Sequence, residues 1–128
     1  MGGMSATRNL GRCFGGIVTA ALLAAGAQPA AAQDHWGAVA AAPGEAAGQA
    51  IEQPSRAAAR AAAIKACNGR CSYLVTFYRT CAAIATGTGA YGWAAARSVE
   101  DAGTQALRFC GQRAADCRLR IVACSGND

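Results

Sequence analysis

Histidine is almost missing from this chain: His35 is the only one in 128 residues. No HExxH, GxSxG or P-loop pattern occurs either, so the common signatures of metalloproteases, serine hydrolases and nucleotide-binding enzymes are all absent. Charge is sparse, at 15% of residues. Twelve Lys and Arg against seven Asp and Glu make the chain basic. Without Arg8 and Arg12 the excess falls to three, well short of the dense basic stripe of a nucleic-acid-binding domain. No apolar run reaches the ~20 residues of a spanning helix. Bulky side chains are scarce too: aromatics are 6% of a chain dominated by alanine and glycine. Apolar burial alone would stabilise so small a domain only weakly. Something else must contribute, and seven cysteines are the obvious resource.

The chain divides near residue 32. Residues 1–32 read as a secretory signal peptide, with Arg8 and Arg12 ahead of the apolar run Cys13 to Ala27. Ala30-Ala31-Ala32 satisfies the small-residue rule for cleavage. Residues 33–128 then form one domain, secreted or periplasmic, with no membrane span after signal removal. It retains six cysteines: Cys67, Cys71, Cys81, Cys110, Cys117 and Cys124. An even count in a small exported domain reads as three disulfides. Cys67-x3-Cys71 lies within zinc-ligand spacing, but no histidine accompanies it, so no metal or other cofactor is expected.

What remains is a repeat. Ser55 to Cys67 spans twelve residues and Cys67 to Cys81 fourteen; Ser98 to Cys110 spans twelve and Cys110 to Cys124 fourteen. Ala59, Ala63 and Ile64 recur as Ala102, Ala106 and Leu107. Each copy begins with two short apolar segments. In the first copy these are Trp36 to Ala42 and Ala46 to Glu52, separated by Pro43-Gly44. Glycine within the second of them, Gly48, suggests a bulge or the close approach of another backbone. Cys81 to Thr86 and the segment around Ala90 to Ala94 repeat the hairpin around Gly87-Thr88-Gly89.

Ser55 and Ser98 are good helix N-caps, and the alanine-rich runs after them have high helix propensity. Asn68-Gly69 and Gly111 are helix stops. Tyr73 to Arg79 is the clearest strand; both its faces are partly apolar, which predicts a central position. In the last strand, Arg118 to Cys124, the pattern places Leu119, Ile121 and Ala123 on one face and Arg118 and Arg120 on the other.

The expected fold is therefore α+β. Two ββαβ pseudo-repeats form a mostly antiparallel sheet, with two helices on one face, stabilised by disulfides. Six cysteines allow fifteen pairings. A twofold repeat favours symmetric sets. The expected one is Cys67–Cys71, Cys110–Cys117 and Cys81–Cys124, the last joining equivalent positions of the two copies. The other is Cys67–Cys81, Cys110–Cys124 and Cys71–Cys117.

Trp36-Gly37-Ala38-Val39-Ala40, Ser55-Arg56 with its alanine ladder to Cys67, Cys81-Ala82-Ala83-Ile84-Ala85 and Ala90-Tyr91-Gly92-Trp93 together resemble a bacterial family, domain of unknown function 4189. The resemblance covers about residues 36–124. It implies an exported, cysteine-bearing domain and supplies no activity, substrate or catalytic residue. The heavy use of alanine, as in Ala40 to Ala42, departs from the polar or aromatic residues expected there.

Nothing in the sequence assembles a catalytic constellation. His35 adjoins the expected cleavage site and reads as solvated, in a frayed segment. Glu100 and Asp101 open a helix, where negative charge is favourable without any chemistry. The best candidates for a contact surface are Trp36, Tyr91 and Trp93, with Arg118 and Arg120 as a basic supplement. The reading that results is a non-enzymatic binding module for an envelope glycan or a protein, not for nucleic acid. A small secreted hydrolase or toxin, or a purely structural envelope protein, is the alternative.

Overall fold

The computed structural model describes residues 34–126. The expected signal peptide, with Cys13, lies outside the described residues. Eight elements follow in order: β1 (Trp36–Ala41), β2 (Ala47–Gln53), α1 (Arg56–Ala66), β3 (Tyr73–Tyr78), β4 (Thr80–Gly87), β5 (Ala90–Ala96), α2 (Val99–Gly111) and β6 (Arg118–Ser125).

Both helices begin where a serine hydroxyl satisfies a first-turn amide. Ser55 Oγ accepts from the Ala58 N–H at 3.0 Å, and Ser98 Oγ from the Asp101 N–H at 3.0 Å. Helix α1 ends as Asn68 and Gly69 turn left-handed (φ 56° and 70°), and the Gly69 N–H returns to the Ile64 carbonyl at 3.0 Å.

The six strands do not make one sheet. They form two antiparallel three-stranded sheets, in the orders β2-β1-β3 and β5-β4-β6. The sheets pack face to face, with β6 over β1 and β2, and β4 over β1 and β3. Alternation along each strand explains the arrangement. In β1, Ala38 and Ala40 meet Ala59 and Ala63 of α1, while Val39 and Ala41 meet Ala82, Ile84 and Ala123 of the other sheet. In β4, Ala83 and Ala85 meet Ala102, Ala106 and Cys110 of α2. The helices therefore cover opposite outer faces, not one shared face. A single sheet with both helices on one side would leave Val39, Phe77 and Ile84 in water; stacking two sheets buries all three. The chain passes from one sheet to the other at Arg79, a single residue with φ 55°.

This stacking also corrects the placement of β3. It is an edge strand, not a central one. Its two apolar faces are used by α1, through Leu74, and by the opposite sheet, through Val75 and Phe77.

Two glycines set the depth of the helix layers. A Cβ on Gly48 would lie 2.7 Å from the Ala63 carbonyl oxygen, and one on Gly92 would lie 2.5 Å from the Ala106 carbonyl oxygen. Of the two expectations for Gly48, close approach is therefore the one realised, because alanine-faced helices rest their backbones almost directly on the strands.

The disulfides are Cys67–Cys71, Cys81–Cys124 and Cys110–Cys117. The first and last each tie the end of a helix to the approach of the following strand. Cys81–Cys124 does not link the two sheets, although the spacing suggested a bridge between the two halves. Cys81 belongs to β4 and faces Cys124 on the neighbouring strand β6, so the bridge lies within the second sheet.

Strand β6 departs from its expected pattern as well. The β4–β6 register shifts between Ile84 and Ala85, so Ile84 faces Ile121 while Ala85 faces Leu119. Arg120 is the extra residue. Leu119 is thereby turned toward α2, where a Cβ on Gly103 would meet it at 3.1 Å, while Ile121 and Ala123 stay between the sheets.

The β4–β5 turn is held from outside. Asp116 accepts from the Thr88 hydroxyl at 2.5 Å and from the Thr88 N–H at 2.9 Å. The hydroxyl bond first, and then the amide bond, hold the Asp116 carboxyl below the usual carboxylate range. Because the folded-state value is depressed, this contribution is fully present above the unfolded value near ~3.9 and is lost as pH falls through the folded one. Acidification through that range should therefore lower the protection of the Thr88 amide, the slowing of its exchange relative to an unstructured amide at the same pH, before the domain unfolds. Asp116→Asn should show the lowered protection already at neutral pH. Equal Thr88 protection in both proteins at neutral pH would refute the role of the carboxylate.

Candidate functional site

Strand β5 carries the candidate site. It pairs with β4 on one side only, so its other edge is open. Since β4 lies over β1 and β3, β5 sits on the β3 side of the sandwich. Its side chains alternate. Ala90, Gly92 and Ala94 are buried, Ala94 against α2; Tyr91, Trp93 and Ala95 are exposed. Trp93 is 48% exposed and Tyr91 38%. They lie on the same face as Thr86 and Ile84, their partners in β4.

Two grooves run beside β5. The larger, about 650 Å³, is floored by Tyr91 through Ala95 and walled by Gln105 and Phe109 of α2 and by Gln112 and Arg113 in the turn that follows it. The smaller, about 420 Å³, is floored by Ser72 through Thr76 of the β3 side and closed by Tyr91 and Trp93. In each groove five consecutive strand-side residues form the floor, so backbone as well as side chains lines the space. The Tyr91 ring stacks on Tyr73 with centroids 3.9 Å apart and planes 13° from parallel. That contact fixes the ridge between the grooves and ties β5 to the first sheet.

The expected contact residues do not all converge. Tyr91 and Trp93 share both grooves. Trp36 stands at the far end of β3, paired with Tyr78, whereas Tyr91 stacks at the Tyr73 end. The Trp36 ring is half-buried, 5.0 Å from the Tyr78 ring and 4.9 Å from the Arg56 guanidinium carbon, and lines neither groove. Arg118 and Arg120 line neither groove either. Arg120 Nε donates to Thr86 Oγ1 at 2.7 Å, satisfying a hydroxyl that is fully buried.

Sequence reasoning missed Phe109, Gln105, Gln112 and Arg113. The available signal was helical spacing. Gln105, Phe109, Gln112 and Arg113 follow one another by four, three and one, a stripe just beside the buried Ala102, Ala106 and Cys110. An aromatic residue there, 42% exposed, has no place in a solvated face. Arg108 lies over the Phe109 ring, its guanidinium carbon 5.4 Å from the centroid.

His35 is not frayed. Its Nδ1 lies 3.2 Å from Glu52 Oε1, and Glu52 Oε2 accepts from the Gly126 N–H at 2.8 Å. The Glu52 N–H in turn donates to the buried Ser125 hydroxyl at 2.8 Å. With Ser125 Oγ engaged by a backbone amide, this cluster fastens the ends of β1, β2 and β6 together. Among the described residues, no three His, Cys, Asp or Glu side chains are grouped to hold a metal ion. Among the described residues, no helix is long and apolar enough to cross a membrane.

Comparisons with known proteins agree with the fold. The NMR structure of Rv1813c from Mycobacterium tuberculosis is similar, with 30% sequence identity and a TM-score of 0.52. The likeness covers 71% of this chain and 75% of that one. No curated protein matches the sequence. The profile of the domain of unknown function DUF4189 matches residues 36–124, from the first residue of β1 to the second cysteine of the β4–β6 bridge, and the chain belongs to that family.

Proposed function

We propose that the protein is a secreted or periplasmic binding module, without catalytic activity, and that β5 with α2 is its contact surface. The observation that carries this reading is the exposure of Trp93, Tyr91 and Phe109 around one groove. A domain this poor in bulky residues would bury its aromatics if packing were their only use. Tyr91 and Trp93 are held outward by Ala90, Gly92 and Ala94, which occupy the buried positions beside them. The three disulfides support an oxidising compartment, and residues 1–32 have the pattern of an export signal. The partner is an envelope glycan or a protein.

The same reading treats the two halves as copies of one ββαβ unit related by a pseudo-twofold axis. Support comes from the matching strand orders, the two serine caps, and the helix-bearing glycines Gly48 and Gly92. The aromatic groove belongs to the second copy. The corresponding strand of the first copy, β2, carries Ala47, Gln49 and Ile51 where β5 carries Tyr91, Trp93 and Ala95.

Retention on isolated bacterial envelopes tests the proposal. Trp93→Ala should weaken retention of the oxidised protein by roughly thirtyfold, the effect of losing an interface anchor of about 2 kcal/mol. The unfolding midpoint should barely change, because half of the ring is already in water. Retention equal to that of the unmodified protein would defeat the assignment of this face.

A further inference from the structure

The four edge strands of the sandwich are not equally defended. An open edge invites another strand to pair with it, and proteins usually blunt such edges with charges, prolines or bulges. Strand β6 has Arg118, Arg120 and a register shift. Strand β2 has Glu52 in a left-handed conformation and a register shift opposite Trp36 and Ala38. Strand β5 has none of these devices: its sequence, AYGWAAA, is uncharged and proline-free, and its pairing with β4 is regular over seven residues. Strand β3 is uncharged as well, but the space along it is closed by Tyr91 and Trp93.

The undefended edge of β5 is also the floor of the larger groove. In an antiparallel pair, alternate residues turn their N–H and C=O away from the partner strand. The two-residue turn Thr88-Gly89 makes Gly87 and Ala90 the closing hydrogen-bonded pair, so Tyr91, Trp93 and Ala95 direct their backbone groups to the open side. The far wall, α2, stands where the side chains of an added strand would project. The groove's charged residue is Arg113, just past the end of α2; Arg108 lies beside Phe109, and among the described residues no acidic side chain lines the groove. That charge disfavours a second copy of this basic chain and favours an anionic occupant.

We infer that β5 accepts an extended, acidic segment of a partner polypeptide as an added strand, with its acidic side chains toward Arg113 and Arg108. The inference rests on the reading of this face as a binding surface and specifies its mode. Main-chain pairing supplies affinity that does not depend on the partner's sequence, and alternate side chains against Phe109 and the arginines supply selectivity.

Panning the oxidised protein against displayed random linear peptides tests it and requires no named partner. Enriched peptides should alternate β-branched residues with Asp or Glu. N-methylation at one alternate set of residues should weaken an enriched peptide at least about tenfold, while methylation at the other set should not. Binding should slow amide exchange at Tyr91, Trp93 and Ala95. Ala95→Pro, which removes one outward N–H, should lose the peptide; the methylation series uses the unmodified protein and stands even if that variant misfolds. Absence of enrichment, or equal effects of the two methylation sets, would overturn the inference. Concentration-dependent dimers with protected β5 amides and no peptide present would overturn it in favour of a second copy. If Trp93→Ala abolishes retention on envelopes but no peptide is enriched, the surface stands and the added strand falls. If Trp93→Ala has no effect in either assay, the surface itself falls.

Discussion

Gly92→Ala is expected to destabilise the domain by about 3 kcal/mol, at the upper end of overpacking effects. A methyl at that position would press on the α2 backbone, against the Ala106 carbonyl and the Cys110 amide, and no flexible side chain is there to yield. Relief requires lifting α2 from β5, which opens the layer formed by Ala94, Ala102, Ala106 and Cys110. In a domain of this size the melting temperature should fall by roughly 12–24 °C. Gly48→Ala should act in the same direction through α1. Gly111→Ala is the control, since a Cβ there meets nothing within 4 Å. A Gly92→Ala protein that melts with the control would mean that the helix layers are loose, and the account of their depth would be wrong.

Removing the Cys81–Cys124 bridge should cost about as much. The two cysteines are 43 positions apart, and by chain-entropy arithmetic a closed loop of that length contributes about 4 kcal/mol. The bridges spanning 4 and 7 positions contribute about 2 and about 2.5 kcal/mol by the same rule. Since total stabilities are commonly about 5–15 kcal/mol, loss of the long bridge would remove much of the margin. Denaturant unfolding of the three paired Cys→Ala variants gives the ranking. If either short bridge proves the most costly, loop closure is not what governs these disulfides.

Much of the fold was legible in the residues. Ser55 and Ser98 mark helix starts because a hydroxyl at that position has one evident use, and Asn68-Gly69 marks a stop for a similar reason. The even cysteine count and the symmetric spacings led to two pairing schemes, one of which the structure contains. What the residues could not convey was which strands share a sheet. Tyr73, Val75 and Phe77 announce an apolar face. An apolar face looks the same whether a helix or a second sheet covers it, so β3 passed for a central strand and two sheets passed for one. Strand β6 was misread because one extra residue, Arg120, breaks the alternation on which the assignment of faces depends.

The site was half legible for a related reason. Tyr91 and Trp93 stand out on a strand of alanines. Phe109 and Arg113 gain meaning only when α2 is laid along the β5 edge, and that placement depends on Gly92 making room. Trp36 attracted attention by its type alone; Tyr78 and Arg56 already occupy it.

Among the described residues, every sulfur–sulfur link closes within the sheet–helix pair that contains it. Of the described residues, those before Arg79 hold one such link and those after it hold two. Among the described residues, the seam between the two sheet–helix pairs is thus joined covalently at a single exposed basic residue, and otherwise by packing around Val39, Phe77 and Ile84, the Tyr73–Tyr91 stack and the polar clasp at His35, Glu52 and Ser125. A protease that cuts after arginine could sever that join, leaving two oxidised fragments that only non-covalent cohesion keeps together.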